Sequence, residues 1–380
     1  MIDTLKIYVL WHPQSLEAKA DANLISHHFD NLGIERGGIK YRVPVRTRSE
    51  PWKPDISQEP RKIDFSEADH NIIVLLNDSY MNTESQTWNG YLNDIQSQIV
   101  VRKDNDLIVP FHRSKNLSTF NAISHIHFAH QYKWQTSIAN KEAENSRLLL
   151  HLLYAIRNHL RKIWTPKASK EKLFVSHAKS DGDYTARVIV DHVNDTSHDV
   201  PLHTFYDAME LIPGEKYQDT FDQEIENGTL LAIISDIYES RPWCLYELTK
   251  AKEYKRPIVL ADISKTKISR SYPYGGNLPR IRLKGTDFRT IEGLLVEVLS
   301  EGLRCDLFVR QANKAIRNKK YSNAISLPRP PELFDILNIA SKNETIIYPD
   351  PPLPNIEQKI LKKATNSISP FLEIKSLGEM

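Results

Sequence analysis

Cysteine is scarce: Cys244 and Cys305 are the only two. Two thiols cannot build a disulfide framework, so a reducing, cytoplasmic setting is expected. Long apolar runs are missing too. None reaches the ~18 residues a membrane helix needs, so no membrane partner is expected. The start, MIDTLKIYVLWHPQ, lacks a basic stretch followed by an apolar core, and no secretory leader is expected. Neither charge sign dominates, since 50 Lys and Arg face 48 Asp and Glu. The net charge of +2 gives no global field to recruit nucleic acid, and direct nucleic-acid binding is not expected. The chain has no GxGxxG, no GxxxxGK[ST] and no GxSxG. A Rossmann phosphate cradle, a P-loop and a nucleophile elbow are therefore undeclared.

What is present is an ordinary globular composition, 40% hydrophobic and 26% charged, over 380 residues. That length suits two or three domains. The most ordered pattern runs from Lys172 to Ile263. Short apolar runs at Leu173–Val175, Thr204–Tyr206, Leu230–Ile234 and Pro257–Leu260 alternate with polar, helix-like segments. This predicts a parallel sheet with helices on its faces. In such sheets ligands sit beyond the carboxyl ends of the strands. Those ends carry Ser176–Gly182, Asp207–Gly214 and Ser235–Glu247.

Three stretches carry a family resemblance: FVSHAKSDG, FYDAMELIPGEKY and ISDIYESRPWCLYEL. Together they resemble a Toll/interleukin-1 receptor (TIR) domain over roughly residues 171–300. The resemblance implies a flavodoxin-like parallel sheet flanked by helices. The most specific part is a strand, a Ser-rich loop, then Trp243-Cys244 with Glu247 four residues after the Trp. In the family this surrounds a catalytic glutamate, so the resemblance implies that role for Glu247. It also implies NAD⁺ as substrate, with no metal, and Ser176, His177, Asp207 and Trp243 as contacts to it. Trp243 and Glu247, four apart on a helix, share a face. Pro213-Gly214 resembles the turn of the family's BB loop, through which TIR domains self-associate. One departure stands out: His177 and Ala178 occupy places where a catalytic member of the family has Tyr and Arg.

A single carboxylate suffices for one particular reaction. Nicotinamide is a cationic pyridinium in NAD⁺ and leaves neutral. No general acid is needed, unlike the paired carboxylates of ordinary glycosidases. A nearby anion stabilises the oxocarbenium-like ribose. The expected function is an NAD⁺ glycohydrolase releasing nicotinamide and ADP-ribose or a cyclic product, as an effector of bacterial anti-phage immunity. A separate sensor protein is a further expected partner. The alternative is a non-catalytic TIR scaffold that assembles a signalling complex.

Residues 1–135 read as a degenerate copy. Lys6–Leu10 matches Lys172–Ser176, and Asn71–Leu76 followed by Asn77–Tyr80 matches Leu230–Ile234 followed by Ser235–Tyr238. Trp88 takes the place of Trp243, but Leu92 stands where Glu247 would, with Asp94 the nearest acid. A TIR-like fold present twice in tandem, inert in the first copy, is the economical reading. Residues 42–62 hold six Lys or Arg and four prolines. They read as a solvated loop, or alternatively as a docking loop for an acidic partner or nucleotide. His125, His127 and His130 read as structural, and no metal site is expected. Residues 136–168 form a connector whose apolar residues from Leu149 to Ile163 predict one buried helix face, with Arg157, Arg161 and Lys162 on the other. The TIR domain is placed at 169–303, closed by a helix over Ile291–Leu303. Residues 304–380 are a helical, proline-rich extension of unassigned role. There Asp306–Lys320 and Ile356–Ala364 read as helices, and LPRPPEL and YPDPPLP, flanking an apolar strand-like TIIYP, as rigid straps.

Overall fold

Apolar runs such as Ile72–Leu76 and Leu230–Ile234 have no polar face, and both are fully buried. Only a sheet covered on both sides accepts such strands. The computed structural model describes residues 3–36, 39–48, 60–138, 140–165, 172–205, 217–266, 275–319, 321, 323–339, 345–366 and 370–380. The chain divides into two compact units, Met1–Leu32 with Lys40–Lys167, and Gly33–Ile39 with Ala168–Met380.

The first unit holds a parallel sheet in the order Val45–Thr47, Asp3–Leu10, Ala68–Asn77, Leu107–His112. Its register pairs Ile7 with Ile72 and Leu75 with Pro110. Helix Leu16–Phe29 is opened by the Ser15 hydroxyl, which accepts from the Ala18 amide at 3.3 Å. Helix Ser85–Val101 buries Trp88, Leu92, Ile95 and Ile99. The expected connector helix exists as Lys141–Trp164 and belongs to this unit. Trp164 Nε1 donates to His70 Nε2 at 3.0 Å. The expectation for Arg157 is corrected: its side chain is 1% exposed, because this helix buries more than one stripe.

The second unit holds a five-stranded parallel sheet in the order Arg280–Arg282, Ile258–Asp262, Thr229–Ile234, Leu173–His177, Thr204–Phe205. With strands numbered as they occur within the sheet, this is 2-1-3-4-5, the flavodoxin-like order. The first unit repeats 2-1-3-4. Helices Asp183–Asn194, Tyr217–Asn227 and Pro242–Glu253 connect strands. Phe174, Phe205, Phe221, Leu230, Leu248 and Leu260 meet in the core.

Two expectations for the rest of the chain need correction. The boundary at 303/304 falls inside one continuous helix, Phe288–Asn318. Arg304 and Asp306 interrupt its apolar pattern, but Arg304 is buried in a two-armed pair with Glu301, both arms at 2.7 Å, and the helix continues. Nor are residues 324–376 merely helical with proline straps. Ala324–Ser326, Thr345–Tyr348 and Glu373–Ser376 form a third parallel sheet, connected by helices Leu333–Ile339 and Asn355–Thr365. Leu327, Ile336, Ile346, Tyr348, Leu361 and Ile374 make its core. The prolines sit at the seams. Pro354 directly precedes a helix, and the Leu353 amide donates to the Tyr348 hydroxyl at 2.7 Å.

Candidate functional site

Strand Leu173–His177 lies between edge strand Thr204–Phe205 and the central strand Thr229–Ile234, with Ser176 opposite Ala232 and His177 opposite Ile233. The chain then turns sharply, the Gly182 amide donating to the Ala178 carbonyl at 2.8 Å. A Cβ on Gly182 would stand 3.1 Å from that oxygen and 3.3 Å from His177 Cβ, so a larger residue fits only if its neighbours shift by a few tenths of an ångström. Asp181 ties the turn to the next loop. It accepts from the Ser235 hydroxyl at 2.6 Å and the Ile237 amide at 3.2 Å.

Helix Pro242–Glu253 begins with proline in its first turn, where the missing amide costs nothing. Its start is anchored from beneath. Tyr238, 1% exposed, shares a 2.7 Å hydrogen bond with Ser176 and donates to the Cys244 carbonyl at 3.3 Å. Cys244 Sγ donates to the His177 carbonyl at 3.3 Å. Burial pushes the Tyr238 phenol well above its usual range, helped by nearby Cys244 and Glu247. It therefore stays protonated and keeps donating.

These anchors leave a cleft of about 680 Å³ at the carboxyl end of the sheet. His177, Trp243 and Glu247 line it together. Glu247 is 8% exposed, while Trp243, one turn earlier, is 53% exposed. Ser176 does not line the cleft. It is buried beneath it and supports Tyr238. Asp207 and the Pro213-Gly214 turn lie outside the described residues. Sequence reasoning missed Lys179, Arg241 and Phe221, which also line the cleft. Arg241 donates to the Ser180 hydroxyl at 3.2 Å, and the Phe221 ring stands 6.1 Å from that of Trp243. The only available signal was position, two cations at loop ends flanking the motif. His177 Nε2 lies 3.5 Å from Asp183 Oδ1. The cleft thus offers one recessed carboxylate, an aromatic platform and cations nearer the solvent. That suits a ligand with a flat ring, a centre that becomes cationic and an anionic tail.

Residues 173–295 match the family model of the TIR domain. The match begins at the first residue of strand Leu173–His177 and ends within the long helix Phe288–Asn318, so it spans the whole cleft. A comparison with curated proteins gave no match.

The corresponding edge of the first unit differs. Trp88 and Leu92, the counterparts of Trp243 and Glu247, are both 0% exposed. Asp94 lines another cleft, of about 770 Å³, with Lys62, Asp64, Ser66 and Arg102. Arg102 donates to the Ala68 and Asp69 carbonyls at 3.0 and 2.9 Å, which places that cleft toward the amino end of strand Ala68–Asn77. No helix among the described residues is long and apolar enough to cross a membrane.

Proposed function

We propose that the TIR domain cleaves the nicotinamide–ribose bond of NAD⁺, releasing nicotinamide and, with water as acceptor, ADP-ribose or, with its own adenine as acceptor, the cyclic form, as an effector of bacterial anti-phage immunity. The observation that supports this most is the recessed Glu247 carboxylate at the wall of a cleft that also presents Trp243 and His177. Nicotinamide stacks on Trp243. The bond from ribose C1′ to the pyridinium nitrogen breaks and its electron pair stays with neutral nicotinamide. Glu247 stabilises the positive charge left on the ribose until water, or the adenine ring in a cyclisation, takes C1′. Lys179 and Arg241 hold the diphosphate, in place of the Tyr and Arg of other members. The first unit shares the strand order and acts as an inert TIR-like repeat. Self-association through TIR domains and a separate sensor belong to the same reading.

The test is incubation of the full chain with NAD⁺, following nicotinamide by chromatography, beside Glu247→Gln. Release by the parent chain that disappears in the variant supports the enzyme. No release at any concentration, with intact self-association, supports the scaffold without catalysis.

A further inference from the structure

The helix that carries Glu247 is short, and no side chain caps its amino end. Its other end enters a buried ionic cluster. The Lys252 side chain is fully buried, and its Nζ lies 2.5 Å from Glu332 Oε2. Arg329 donates to the Lys252 carbonyl at 3.2 Å, one of the last carbonyls of the helix. Arg329 is itself held by Asp335 at 2.7 Å, and Asp335 accepts the Glu332 amide at 3.1 Å. Arg304, on the long helix Phe288–Asn318, donates to the Pro328 carbonyl at 3.0 Å and anchors the segment from behind. Residues 328–335 therefore staple two helices together, and Arg329, Glu332 and Asp335 all lie beyond the matched TIR region.

An ionic cluster adds little stability over apolar residues of the same shape, yet losing one partner strands the other charge in a low-dielectric interior. What the cluster supplies is one allowed placement. An apolar contact lets a helix slide or rotate slightly, whereas two cations set between two carboxylates do not. Lys252 lies five residues, roughly 7.5 Å along the axis, beyond Glu247. Fixing the helix at Lys252 fixes the height and rotation of the carboxylate. Lys250 and Glu253 form only a partly exposed 2.8 Å pair at the same end, which gives no such constraint.

We propose that the C-terminal module is a positioning element, in which Glu332 and Arg329 hold helix Pro242–Glu253 through Lys252 and thereby set the place of Glu247. The catalytic part of this rests on the NAD⁺ reading, and the positional part does not. Three full-length variants test it: Glu332→Gln, Arg329→Gln and the double change Lys252→Met with Glu332→Leu. The double change removes both charges and keeps an apolar, filled interior.

In each folded variant, hydrogen exchange should rise at the amides of 243–247 and stay unchanged in strand Leu173–His177. The rate of nicotinamide release should fall roughly tenfold or more with KM within about twofold, as misplacement of a reacting group predicts. The double variant should recover thermal stability without recovering rate. If exchange at 243–247 stays at the parent level, or the double variant recovers both stability and rate, the cluster is merely structural and the proposal is overturned. If the parent chain releases no nicotinamide, the NAD⁺ reading fails by itself, and hydrogen exchange alone decides the positional claim.

Discussion

The two parallel sheets share a strand order and differ at one edge. In the second unit the carboxyl edge opens into a cleft with a recessed glutamate and a half-exposed tryptophan. In the first, the same edge is filled. Trp11, where His177 would be, is 3% exposed, and Trp88 and Leu92 are 0% exposed. His12 lies 3.3 Å from Glu84 and stacks on Tyr80 with ring centroids 5.4 Å apart. Arg113 is paired with Asp21 and Glu17. The tyrosines change places: Tyr80 is exposed, while Tyr238 is buried under the cleft. A fold supplies the edge, and individual side chains decide whether the edge is a site or a core.

The largest effect expected is on the open edge. Glu247→Gln keeps the shape and loses the anion, so nicotinamide release should fall by about 10²–10³, as for one positioned charge-stabilising group. Circular dichroism should show an unchanged fold. A variant as fast as the parent breaks the comparison outright.

The reciprocal change sharpens it. Leu92→Glu places a carboxylate where Leu92 is fully buried, and should cost about 3–5 kcal/mol of stability in thermal melting. It should give no NAD⁺ cleavage when combined with Glu247→Gln. Cleavage by that double variant would mean the first edge is a site that lost only its acid.

A third difference follows acid. Burial lowers His112, at the carboxyl edge of the first unit, to about 4 from 6.5, with nearby His130 acting in the same direction. The folded state thus favours neutral imidazole. Its contribution is complete above pH 6.5 and is lost as pH falls toward 4, by about 1–2 kcal/mol once solvent screening reduces the full linkage value of roughly 3 kcal/mol. Hydrogen exchange should show the first unit opening over that range, and His112→Leu should flatten the loss. An unchanged acid profile in His112→Leu would remove this histidine from the account.

The smallest effect concerns the turn below the cleft. Gly182→Ala brings a Cβ to 3.1 Å from the Ala178 carbonyl. It should cost about 1 kcal/mol and move His177, raising KM severalfold with little change in kcat. Unchanged kinetics would show that His177 does not touch substrate.

The central strands were legible because their apolar runs have no polar alternation and end at Ser, Asn or Gly-rich loops. Glu247 was legible through its spacing from Trp243. Of the C-terminal sheet only Thr345–Tyr348 was legible, as an apolar run, since its strands are three or four residues long and two are flanked by prolines that also mark straps. Arg157 misled because charge was read as exposure, whereas it is buried.

By itself the sequence determined which segments become buried parallel strands and which acid sits behind the Trp-Cys pair, because both are local patterns of residue type. Only the tertiary structure decided that Ser176 serves Tyr238 and not the cleft, that Asp94 faces the amino end of its sheet, and that Lys252 meets Glu332 across 80 residues. Those outcomes depend on which distant segments the crossovers bring together, and parallel sheets join strands that no short-range pattern connects.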